Sequence, residues 1–104
     1  MPEIKLLQDE STSDYLIRCE NRKATLGKST VSLIGYLMGL GDDYPAAKQK
    51  VVDLGNEIRT SDPGAKYDYE LGNTQPLIDI VNSSTLPFMT AEAKALVVAI
   101  LAHE

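Results

Sequence analysis

Residues 26–30 read Leu-Gly-Lys-Ser-Thr, the closing half of a phosphate-binding loop. The full loop needs G-x-x-x-x-G-K-[ST], because flexible backbone must wrap the phosphates before the lysine reaches them. The position that should hold the first glycine is Arg22. No convincing buried strand precedes it, so nucleotide hydrolysis is not expected. A smaller role remains open. A helix starting at Ser29 would present free N–H groups and a positive dipole end to an anion. Lys28, Ser29 and Thr30 would form that site, joined by Arg22 and Lys23 if the chain folds back. The plainer reading is preferred, with Ser29 as a helix cap and Lys28 a solvated charge, since every helix offers such an end.

A second constellation is Ser32, Gly35 and Gly39, at i, i+3 and i+7 on one face of an apolar segment. Each interior glycine costs about 1 kcal/mol relative to alanine in a helix. Close backbone approach by another helix would compensate, either within the chain or between subunits. Leu96 and Ile100 belong to the second apolar run, residues 95–102, which has no polar position. These five residues are the candidate interface.

Catalytic and metal chemistry have little support. The one histidine, His103, has no partner in the pattern, and the one cysteine, Cys19, has no histidine near it. Cys19 reads as a small core residue. Asp42 and Asp43 have a dipole reason to start a helix. Asp62, Asp68 and Glu70 lack the spacing of a calcium loop. No enzyme, cofactor or metal is expected. Tyr67 and Tyr69, alternating with Asp68 and Glu70, are a weaker candidate partner surface; the simpler role for them is sealing the core edge.

The elements that must position these residues are read from composition and periodicity. The 104 residues fit a single domain, 1–104, with 43% hydrophobic and 24% charged residues, a globular balance. One cysteine excludes an internal disulfide and suits a reducing cytoplasm. The opening MPEIKLLQDE carries acid early and lacks a long apolar core, so no secretory signal is expected. The longest uncharged stretch tested, 29–41, has 13 residues, against about 20 needed to span a bilayer. The net charge of −5 falls entirely in residues 29–104. Such a surface repels nucleic acid and anionic membranes, despite the local basic group of Arg18, Arg22, Lys23 and Lys28.

The expected fold is mostly α, with α+β possible: an N-terminal β-hairpin in residues 1–28, then a compact four-helix core in 29–104. In the hairpin, residues 4–7 pair with Tyr15, Ile17 and Cys19, which alternate with Leu16, Arg18 and Glu20. The competing reading is a helix over 14–26, capped by Ser13. The four helices are expected at 29–40, 44–60, 75–82 and 91–102. Gly41 suits the exit of the first, and Asp43 and Pro45 suit the entrance of the second. Ala47, Val51, Leu54 and Ile58 form the clearest stripe. Residues 65–73 read as a connector, extended around Tyr67–Leu71, and Thr74 and Thr90 as caps.

Helices 30–40 and 91–102 both look apolar all round. A domain this small can centre only one such helix. The sequence therefore points to a homo-oligomer, a dimer first, acting by protein association without chemistry of its own. A binding module for a small anionic ligand around Lys28-Ser29 is the alternative.

Overall fold

The computed structural model describes residues 10–25 and 32–102. Those residues are mostly helical and contain no strand. Six helices follow in order: α1 (Thr12–Thr25), α2 (Leu33–Gly39), α3 (Tyr44–Ser61), α4 (Ala65–Glu70), α5 (Gln75–Asn82) and α6 (Ala91–Leu101). The four expected helices are α2, α3, α5 and α6. Two elements differ from expectation, α1 and α4.

The first correction is the hairpin. Its first segment, 4–7, lies outside the described residues. Its second segment, Tyr15 to Cys19, is helical. The alternation of Tyr15, Ile17 and Cys19 imitates a strand, but the buried set is Thr12, Ser13, Tyr15, Leu16 and Cys19, which lies on one face at helical spacing. Ser11, not Ser13, satisfies the start of α1: its Oγ accepts from the Asp14 amide at 3.2 Å and its carbonyl from Tyr15. Ser13 is buried instead.

That burial explains Gly55. A Cβ built on Gly55 would lie 2.6 Å from the Ser13 nitrogen and 3.0 Å from its Cα. The backbone of α1 therefore touches α3 where α3 has no side chain. These two helices make the most extensive contact in the fold. The stripe of Ala47, Val51, Leu54 and Ile58 is fully buried along the same helix, as its spacing requires. Asp43 caps α3 by accepting from the Ala46 amide at 2.9 Å, with Pro45 in the first turn.

The α2 helix begins at Leu33, and its cap is Ser32, whose Oγ accepts from Gly35 at 2.9 Å. Residues 26–31, including the expected cap Ser29, lie outside the described residues. A second acceptor also serves this start: Glu20 Oε1, on α1, accepts from the Leu33 amide at 3.1 Å. The exit is as expected. Gly41 takes φ of +117°, and Asp42 donates to the Leu37 carbonyl in a Schellman closure.

The second correction is the connector. Residues Ala65–Glu70 form a helix, α4, rather than an extended segment. Ala65 and Tyr69, one helical turn apart, are buried, while Leu71 is 74% exposed. Asp62 Oδ1 accepts from Gly64 at 2.9 Å and so turns the chain into α4. Gly72, at φ of +100°, closes it with Asn73 donating to the Asp68 carbonyl at 2.8 Å. Downstream, Thr90 caps α6 as expected, accepting from Ala93 at 3.2 Å, whereas Thr74 makes no side-chain cap to α5.

One cluster of buried apolar side chains joins all six helices. The expectation that 30–40 and 91–102 are enclosed on every side is not met. Only Leu33 and Leu37 of α2 are buried. In α6 the buried face is Ala93, Val97, Ile100 and Leu101, and the outer positions Ala95 and Ala99 are alanines. Small outer side chains let α6 leave one face in water at little cost, so α6 needs no cover from a partner.

Two glycines give opposite predictions. Gly55→Ala raises intrinsic helix propensity yet should destabilise by about 1–3 kcal/mol, because α1 must move away. Gly39 has nothing within 4 Å of a built Cβ. Gly39→Ala should therefore stabilise, by up to about 1 kcal/mol. Urea unfolding midpoints at unchanged slope measure both.

Candidate functional site

Of the basic residues grouped in the sequence, Arg18, Arg22 and Lys23 are each used inside the fold. Arg18 forks onto Glu10, with Nη2 at 2.8 Å from Oε1 and Nε at 3.1 Å from Oε2. Arg22 Nη2 donates to Glu70 Oε2 at 2.8 Å. Lys23 Nζ donates to the Ala99 carbonyl at 2.7 Å, in the last turn of α6, where a cation meets the negative dipole end. Arg22 and Lys23 are thus committed to different helices. Lys28, Ser29 and Thr30 lie outside the described residues.

Arg22 instead belongs to a polar knot joining α1 to α4. The Tyr15 hydroxyl donates to the same Glu70 oxygen at 2.5 Å. Both guanidinium groups lie over the Tyr15 ring, Arg18 at 5.1 Å and Arg22 at 5.7 Å from its centroid. The Tyr69 ring meets Tyr15 edge-on, at 6.0 Å and 84°. The Tyr69 hydroxyl interacts with the Cys19 thiol. Tyr69 is therefore buried inside this knot and is not a partner surface.

The electrostatics of the knot follow from burial and pairing. Burial, with the Glu70 hydrogen bond second, pushes the Tyr15 hydroxyl far above its ordinary value. Burial and the charge of Cys19 push Tyr69 up to about 12. Burial also raises the Cys19 thiol, which makes it a poor nucleophile. Burial alone would raise Glu70, but hydrogen bonds from Arg22 and Tyr15 outweigh it and hold the carboxyl below its ordinary value. None of these groups is moved toward neutrality, where general acid–base chemistry operates. The knot fastens α4 to α1. Among the described residues, no group of three or more His, Cys, Asp or Glu side chains gathers to hold a metal. No helix among them is long and apolar enough to cross a membrane.

The candidate interface residues are divided. Ile100 is 2% exposed within the chain and belongs to the core, which corrects its place in an interface. Leu96 is half-buried against the core and Ser32 is a cap. Gly35 and Gly39 are exposed, so the small-residue face does not pack on another helix of this chain. Beside them lies a surface that periodicity did not reveal. Met38 is 44% exposed, Leu40 69% and Tyr44 56%, all on the shoulder where α2 turns into α3. The neighbouring acids are occupied: Asp42 pairs with Lys50 at 2.7 Å, and Asp43 caps α3.

A scan against protein-family models finds no match, and neither a search of curated proteins nor one of solved structures finds any. The shoulder and the knot therefore stand on their own geometry.

The knot makes a pH prediction. Glu70 binds its proton less readily folded than unfolded, so its contribution is present above the ordinary carboxylate value of 4.5 and is lost as pH falls through the folded value. Glu20 works the other way. Burial raises it against the Leu33 hydrogen bond, so the stability it lends on protonation is lost as pH rises through its folded value. Glu70→Gln should lower stability at neutral pH and flatten the acid loss between about pH 5 and pH 3. Glu20→Gln keeps an acceptor for Leu33 and should be at least as stable as the wild type at neutral pH. Urea titrations across that range distinguish the two.

Proposed function

We propose that this chain is a non-catalytic association module that works as a homo-oligomer, a dimer first, through the shoulder between α2 and α3. The observation that carries the reading is the exposure of Met38, Leu40 and Tyr44 together, next to two glycines with open space or only a cap hydroxyl before them. Isolated exposed apolar residues are ordinary, but three on one turn of chain form a contact surface. Gly35 and Gly39 permit another backbone to approach between them.

The electrostatics support a second copy as the occupant. A net charge of −5 repels like molecules at long range. At the shoulder this is relieved, because Asp42 is paired with Lys50 and Asp43 is engaged by a backbone amide. A two-fold contact needs a patch that complements itself, and a small apolar patch without free charge does so. The proposed site thus keeps Gly35 and Gly39 from the sequence-based set, replaces Ile100 and Leu96 with Met38, Leu40 and Tyr44, and needs no cofactor. A reducing cytoplasm is the proposed setting, since the one cysteine is buried and unpaired.

Sedimentation velocity over the micromolar range tests this reading. The wild type should show a concentration-dependent dimer. Leu40→Lys should weaken association about tenfold or more, as central interface residues do, with an unchanged helical circular dichroism spectrum. A wild type that stays monomeric at high micromolar concentration would falsify the proposal.

A further inference from the structure

Away from the shoulder, two cations from different helices face one cavity. Of the eight described cations, four are paired with acids: Arg18 with Glu10, Arg22 with Glu70, Lys48 with Asp14 and Lys50 with Asp42. Arg59 and Lys66 are not. Arg59, in the last turn of α3, makes no ion pair among the described residues. Lys66, on α4, donates from Nζ to a neutral acceptor, the Glu10 carbonyl, at 2.6 Å. The two lie near enough that Arg59 opposes the charge on Lys66. The Glu10 carboxylate attracts Lys66 more strongly than Arg59 repels it.

They converge on a cavity of about 340 Å³, walled by Arg59, Lys66, Ser11, Thr12, Tyr67 and Glu10. Small-molecule sites begin at roughly this size, about 300 Å³. Glu10 is the one acid among these wall residues, and its carboxylate is turned onto Arg18 in a fork. Thr12 supplies an independent sign. It is 5% exposed and lines the cavity, yet its hydroxyl has no hydrogen-bond partner among the described residues. The hydroxyl is reached by solvent, so it is free to donate to a ligand oxygen in the cavity.

We propose that this cavity binds a small phosphate-type oxyanion, held by the Arg59 guanidinium, the Lys66 ammonium and the Thr12 hydroxyl. Arginine offers a planar fork, lysine a point charge and threonine a single donor, a set that suits several acceptor oxygens on one centre. The Tyr67 ring, over which Lys66 lies at 5.7 Å, forms the apolar side where an ester group would rest. Free phosphate and a phosphomonoester share the chemistry of the site. None of these residues belongs to the Lys28-Ser29 site considered from the sequence.

The test is a proton–nitrogen NMR titration of the full chain with inorganic phosphate and, separately, phenyl phosphate, each against sodium chloride at equal ionic strength. Saturable shifts at the Thr12 and Lys66 amides are expected with one or both anions. A response to phosphate supports a free-anion site, and a stronger response to phenyl phosphate supports an ester. Arg59→Gln should weaken binding about tenfold, as loss of a charge-assisted hydrogen bond does. Thr12→Val should weaken it as well, while Lys48→Gln, a cation outside the cavity, should leave it unchanged. The proposal is overturned if neither anion gives a saturable shift, if chloride reproduces the shifts, or if Arg59→Gln binds as the wild type does.

Discussion

The contact of the Ser13 backbone with Gly55 constrains the rest of the fold. A helix without a side chain at that point lets α1 lie directly on α3, and this close seat brings Tyr15 and Cys19 down onto the core. From there Tyr15 and Arg22 reach Glu70 and fix α4, Glu20 reaches the first turn of α2, and Lys23 reaches the last turn of α6. One helix thus holds three others by polar side chains, and it can do so only at the separation that Gly55 sets. The usual cost of glycine inside a helix is offset here by packing density between two backbones.

The fold was legible where burial follows periodicity. The stripe of α3, the Asp43 and Thr90 caps and the Gly41 exit all lie in local pattern and were read from it. The first helix was read only as the competing alternative to a hairpin, and the reason is specific. Two of its buried positions are Thr12 and Ser13, which do not register as apolar, while Tyr15, Ile17 and Cys19 alternate by chance of composition. The signal that could have found α1 was Gly55, an unexplained glycine within the best amphipathic helix. The short helix α4 was missed because its order comes from turns at both ends, through Asp62 and Gly72, and not from a stripe.

The candidate sites were less legible than the fold. Charge grouping in sequence suggested that Arg22 and Lys23 share a ligand, but a helix sends adjacent side chains in different directions, here to Glu70 and Ala99. Pairing partners lie 48 and 76 positions away, beyond any local motif. The shoulder was hidden for the opposite reason. Met38 and Leu40 look like core residues in any window, and only the geometry of a short helix with a left-handed exit turns them outward. Arg59, Lys66 and Thr12 carry no motif, because three separate elements bring them together.

Burial of the lone thiol has an experimental consequence. Cys19 is shielded by two tyrosine rings and by the seat of α1, so a thiol reagent reaches it only when that helix lifts. The rate of native-state alkylation therefore measures how often α1 detaches, separately from melting of the whole chain. The protein carries a built-in probe at the joint on which its other helices depend.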